Sequence, residues 1–149
     1  MLEVKISEDL KTSLKEGDKT SVSALRMLIS EIKNRKIEKI AKSLDDADVI
    51  ALVQKMIRQH KESIEQFRQG KREDLVKKET DEMAALEKYL PAQMTEKELD
   101  GIIAQVISDL GASSAKDMGS VMKEVMKKTS GMADGKVISQ KVKEKLSGN

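Results

Sequence analysis

"YLPAQMTEKEL", Tyr89 to Leu99, contains the chain's only proline, and its reading settles where one folded unit ends and the next begins. Proline disfavours helical geometry for the residue before it, so a helix arriving from the N-terminal side stops by Leu90. Thr95 followed by Glu98 fits the capping box, in which each side chain satisfies a backbone N–H of the other residue, so a new helix starts there. The boundary therefore falls at Pro91, with an N-terminal helical domain over 1–91 and a C-terminal domain over 92–149. Pro91 to Thr95 has the look of a hinge.

Helical periodicity extends in both directions from this point. Downstream, Leu99, Ile102, Ile103, Val106, Ile107 and Leu110 are spaced three or four apart and end at Gly111. Ser114 with Asp117 predicts the cap of a helix carrying Met118, Val121, Met122, Val125 and Met126, and "GMADGKVISQKV" (Gly131–Val142) opens the last helix. In that turn Gly131 suits a left-handed helix end, and Asp134 suits an N-cap with Gly135 in the first turn. Upstream, Ile6, Leu10 and Leu14 form a first stripe ended by Gly17. Asp18 or Thr20 caps a second helix that carries Val22, Leu25, Leu28, Ile29, Ile32 and Lys36 and runs to about Lys42. Asp45 caps a third, with Val49, Val53, Met56, Ile57, His60, Ile64 and Phe67 on one face and Gly70 at its end. Leu75, Met83, Leu86 and Leu90 face inward on a fourth. The expected fold is all-α: a four-helix bundle-like N-terminal unit followed by a small three-helix C-terminal unit.

Composition excludes several function classes. Charged residues make up 36% of the 149, yet the net charge is only +2, so the surface is mixed in sign. Phe67 and Tyr89 are the only aromatics, too few for a stacking platform on single-stranded bases. With no cysteine there is no disulfide framework, thiol nucleophile or zinc ribbon. The run "VIALV" (Val49–Val53) is far short of the roughly 20 apolar residues of a membrane span, so no membrane partner is expected. The N-terminus "MLEVKISEDL" has no basic region leading into an apolar one, and a cytoplasmic protein is expected.

Candidate chemistry is sparse. His60 is the only histidine and sits on an apolar stripe, where a packed, hydrogen-bonded role outweighs catalysis. No other His or Cys accompanies it, so neither a metal nor a cofactor is expected, and no catalytic set is assigned. "GKR" (Gly70–Arg72) lacks the upstream glycine of a phosphate-binding loop. Between Ala115 and Asn149, however, eight lysines face four acidic residues. Lys123, Lys127, Lys128, Lys136, Lys141 and Lys143 are the candidate contacts to phosphates. The alternative is that they solvate the outer faces of two amphipathic helices.

Three stretches carry a family resemblance: "LRMLISEIKNRKIE" (Leu25–Glu38), "ESIEQFRQGKREDLVKKETDEMAALEKYLPAQMTEKEL" (Glu62–Leu99) and "DMGSVMKEVMKKTSGMADGKVISQKVKEKL" (Asp117–Leu146). Together they resemble the YqeY family, or GatB/YqeY domain proteins, free-standing relatives of the tail of the tRNA-dependent amidotransferase B subunit. The resemblance covers nearly the whole chain. It implies a two-part helical fold and a partner that is tRNA or a tRNA-modifying or aminoacylating enzyme. It also implies a carbon–nitrogen ligase activity with glutamine as amide donor, for which the residues offer no Ser–Ser–Lys system and no ATP-using domain. The family commonly has Gly-Lys-Val-Met where this chain has "GSVM" (Gly119–Met122), and Gly-Arg-Ala-Asp-Gly where it has "GMADG" (Gly131–Gly135). Ser120 and Met132 thus replace two basic side chains, and methionine cannot grip a phosphate in the two-pronged way of arginine. The expectation is a non-catalytic accessory module acting on tRNA or a tRNA enzyme. The alternative is a protein–protein adaptor that touches no RNA.

Overall fold

A computed structural model describes residues 1–148. The described residues are helical with no strands: α1 (Leu2–Glu16), α2 (Lys19–Lys39), α3 (Asp46–Gln69), α4 (Glu73–Glu87), α5 (Glu96–Leu110), a short 3-10 turn (Ala115–Asp117), α6 (Met118–Thr129) and α7 (Gly135–Ser147). The chain divides into two compact units, Met1–Leu90 and a second that begins at Pro91.

In the first unit, α2 packs against α1, α3 and α4, and α3 lies along α4. Ile6, Leu25, Leu28, Leu44, Val49, Val53 and Leu86 are fully or almost fully buried in its core. Local chemistry sets the helix starts. The Asp18 side chain accepts from Ser21 N–H at 3.1 Å, and Asp45 accepts from Asp48 N–H at 2.8 Å. The N-terminus of α1 is fastened to the next helix start, because Leu2 N–H donates to Asp46 Oδ1 at 2.9 Å. Glu3 pairs with Lys36 and accepts from Leu44 N–H at 3.0 Å, which explains a lysine on the inner side of α2. At the far end of the unit Tyr89, 3% exposed, donates its hydroxyl to Asp9 Oδ2 at 2.5 Å, clasping the end of α4 to α1. Lys5 and Lys88 flank that clasp, 3.0 and 3.6 Å from Asp9.

Some expected details differ. α2 stops at Lys39 rather than near Lys42, because Ile40 turns left-handed (φ 52°) and the N–H groups of Ile40 and Ala41 close onto Ile37 and Lys36 carbonyls. Leu14 is half exposed, since α1 turns Ser13 inward instead. On α4 the most buried register is Val76, Glu82 and Leu86, with Leu75, Met83 and Leu90 at its flanks.

In the second unit, α5, α6 and α7 pack on one another around Ile103, Val121, Val125, Ile138 and Val142, all fully buried. Thr95 and Glu98 form the capping box, with N–H to side-chain distances of 3.2 and 2.9 Å. Ser114 precedes the 3-10 turn rather than α6 itself; Asp117 accepts from the N–H groups of Ser113 and Ser114 at 3.0 and 3.3 Å. The segment between Pro91 and Thr95 is anchored to this unit. Gln93 Nε2 donates to Gly131 O at 3.1 Å, and Met94 N–H donates to Met132 O at 2.8 Å.

Candidate nucleic-acid interface

The turn between α6 and α7 uses its own backbone donors. Ser130 ends α6 in the left-handed region (φ 41°), one residue before the expected Gly131, and Gly131 follows at φ 82°. A residue with a Cβ is strained at such angles, so glycine is needed at 131 for conformation. Ser130 N–H donates to Met126 O at 3.1 Å and Met132 N–H to Thr129 O at 2.8 Å. At the start of α7, Asp134 accepts from Lys136 N–H at 3.0 Å. A carboxylate already occupies the place where the helix N-terminus would otherwise attract an anion. Gly135 gives room to Met126, whose Cε would stand 3.5 Å from an added Cβ, whereas nothing lies within 4 Å of one at Gly119. Gly131, Asp134 and Gly135 therefore shape the turn and cap α7, while Gly119 lies in open space in the first turn of α6.

The candidate lysines fall into two groups. Lys123, Lys127, Lys128, Lys136 and Lys143 are exposed. Lys123 and Lys127 share a face of α6 by their spacing of four, and Lys127 and Lys128 lie in its last turn, where positive charge complements the helix dipole. Lys136 and Lys143, seven apart, share a face of α7. Lys141 differs: its side chain is 19% exposed, 2.8 Å from Asp100 and 3.8 Å from Glu96. The hydrogen bond to Asp100 raises its pKa above the usual lysine range, against a smaller opposing effect of burial. Its charge is spent on holding α7 to α5. Lys128 also lines a groove of about 630 Å³, with Met94, Gly101, Ile102, Gln105 and Met132. Met132 thus supplies apolar wall where an arginine would project charge.

In the first unit the fold gathers a cluster that the sequence did not announce. His60, 5% exposed, places Nδ1 2.5 Å from Glu79 Oε2. Glu82, 4% exposed, accepts from the Ser23 hydroxyl at 3.1 Å. One ligating atom from each of His60, Glu79 and Glu82 lies within 4.8 Å of the others. The available signal was the spacing of Val76, Glu79, Glu82, Leu86 and Tyr89: two glutamates interrupt what is otherwise an apolar stripe.

Comparison with known proteins gives the wider context. A family model described as Yqey-like protein matches residues 3–146. Among curated proteins, "Altered inheritance of mitochondria protein 41, mitochondrial" of Kluyveromyces lactis is 37% identical over 111 residues, which is 72% of this chain and 60% of the relative. The protein of that name from Pyrenophora tritici-repentis is 33% identical over 144 residues, 94% of this chain and 78% of the relative. That from Saccharomyces cerevisiae strain S288c is 38% identical over 92 residues, 62% of this chain and 50% of the relative. This chain therefore spans only about half to three quarters of the length of these relatives. Their names also correct one expectation: the cytoplasmic location drawn from "MLEVKISEDL" is overturned by relatives that are named as mitochondrial proteins. With all but the terminal residues matched by a single family model, and with the all-α architecture in place, the chain belongs to the YqeY-like family.

Proposed function

We propose that the chain is a non-catalytic accessory module that binds tRNA, or an enzyme carrying tRNA, through the lysine faces of its C-terminal unit. The observation that carries this reading is the exposure of Lys123, Lys127, Lys128, Lys136 and Lys143 on two adjacent helices with a positive balance. The names of the fungal relatives support a mitochondrial setting for that partner. Recognition is by phosphate attraction and duplex shape, because the turn at Gly131 offers no arginine and little free backbone donor capacity.

The test is fluorescence anisotropy of labelled total tRNA over a range of salt. Binding weakens as salt rises, and the joint variant Lys127→Ala, Lys128→Ala, Lys143→Ala lowers the log–log salt slope by about one for each lysine that meets a phosphate. Lys141→Ala leaves the slope unchanged, because that lysine faces Asp100. Binding that ignores salt, or that survives the triple variant intact, overturns the reading. In that event the groove of Met94, Ile102 and Met132 favours a second reading, an adaptor that docks an apolar segment of a protein.

A further inference from the structure

We propose that His60, Glu79 and Glu82 form a binding site for a divalent transition-metal ion of the zinc or manganese class, stapling α3 to α4 in the N-terminal unit. Three observations converge on it. The first is geometric. α3 contributes the imidazole, and α4 contributes two carboxylates three residues apart on one face, so the donors come from the two sides of a single helix–helix seam. This is how helix bundles build metal centres. The three donor atoms lie within 4.8 Å of one another. Donors bound to one ion at about 2.0–2.2 Å stand roughly 3–3.5 Å apart in tetrahedral geometry, so side-chain adjustments of about an ångström complete the site.

The second observation is charge. His60 and Glu82 are 5% and 4% exposed, and the hydrogen-bond partner of Glu82 is the neutral hydroxyl of Ser23. Among the described residues no lysine or arginine pairs with Glu82. Two glutamates thus meet at one helix seam, and the buried one has only a neutral hydroxyl as its hydrogen-bond partner, an expensive arrangement in a protein interior. A divalent cation between them offsets that cost and gives the buried carboxylate a charged partner. When the ion enters, His60 Nδ1 and Glu79 Oε2 exchange their mutual hydrogen bond for bonds to the metal.

The third observation is access and selectivity. The Glu79 side chain is 21% exposed, giving the ion an entry past an otherwise sealed site, and Ser23 from α2 orients the Glu82 carboxylate. The imidazole disfavours magnesium and calcium, which prefer all-oxygen sites, and favours zinc, manganese, cobalt or iron. With three protein donors, the remaining position belongs to water.

The test uses the full chain after chelator treatment. Calorimetric titration with ZnCl2 gives a single saturable site, CoCl2 gives a visible absorption band of a low-symmetry nitrogen–oxygen site, and zinc raises the unfolding temperature of the N-terminal unit. His60→Gln and Glu82→Gln, near-isosteric changes checked for helicity by circular dichroism, each lower zinc affinity by about 100-fold or more. One further measurement needs no variant. His60 is the chain's only histidine, so its imidazole resonances move to a new bound position on zinc addition if the site is real. Absence of saturable binding of zinc, cobalt and manganese, imidazole resonances that stay in place, or unchanged affinity in folded variants each overturns the proposal.

Discussion

Replacing Asp9 by asparagine tests the clasp that fastens the end of α4 to α1. In the native protein the Tyr89 hydroxyl donates to Asp9 Oδ2 at 2.5 Å, with Lys5 and Lys88 at 3.0 and 3.6 Å. Asparagine keeps a carbonyl for the phenol but turns a charge-assisted hydrogen bond, worth about 1.5–3 kcal/mol, into a neutral one worth about 1 kcal/mol. The two lysine pairs are half exposed and add less than about 1 kcal/mol each. The expected loss is about 1–2 kcal/mol. For a unit of this size the urea dependence is about 1 kcal/mol per molar, so the midpoint falls by about 1–2 M. Tyr89 is the only tyrosine and there is no tryptophan, so its fluorescence reports this unit alone. Its ionisation gives a second readout. Burial first, and then the hydrogen bond and charge of Asp9, raise the Tyr89 pKa well above the ordinary tyrosine value. An unfolded tyrosine ionises near pH 10, so this contribution is complete below about pH 10 and is lost as pH rises through the folded value. For Asp9 the sign is opposite. Burial pushes its pKa up, but hydrogen bonds from Tyr89 and Lys5 and the charges of Lys88 and Lys5 outweigh it and lower the pKa overall. Its contribution is present above about pH 4 and disappears as pH falls through the folded value. In Asp9→Asn the phenolate absorbance titrates at lower pH, still above an exposed tyrosine because burial remains. An unmoved phenol titration together with an unmoved urea midpoint refutes the clasp.

Two further outcomes concern backbone conformation. Gly131→Ala forces a side chain into φ 82° and destabilises the C-terminal unit by about 1–2 kcal/mol, while Gly119→Ala, helical and in open space, is neutral or stabilising by up to about 1 kcal/mol; hydrogen exchange of α5–α7 amides separates the two. Ile40→Gly relieves a β-branched residue held at φ 52° and removes an exposed apolar side chain, so the N-terminal unit gains about 0.5–1 kcal/mol in thermal or urea unfolding.

The parts of the fold legible in the sequence are those written in local chemistry. Asp18, Asp45, Thr95–Glu98 and Asp134 each cap a helix through atoms two or three residues away, so the chain carries that information in short words. α2 ends earlier than its sequence pattern suggests because Ile40 adopts a left-handed conformation that its own branched side chain opposes, closed by backbone hydrogen bonds onto Ile37 and Lys36. The candidate site follows the same division. That the lysines sit on the outer faces of α6 and α7 could be inferred from spacing, but the diversion of Lys141 to Asp100 could not, since its partner is 41 residues away. His60 looked solitary because Glu79 and Glu82 reach it only when α3 packs on α4.

The fastening of Gln93 and Met94 onto the Gly131 and Met132 carbonyls bears on where this chain can be cut. A fragment beginning at Thr95, the first residue of the capping box, contains every helix of the C-terminal unit yet lacks the two donors that Gln93 and Met94 bring to the turn. A fragment beginning at Pro91 retains both. The residues that resemble a spacer between modules are thus a structural strap of the second, and a transplanted cassette has its natural edge at the proline.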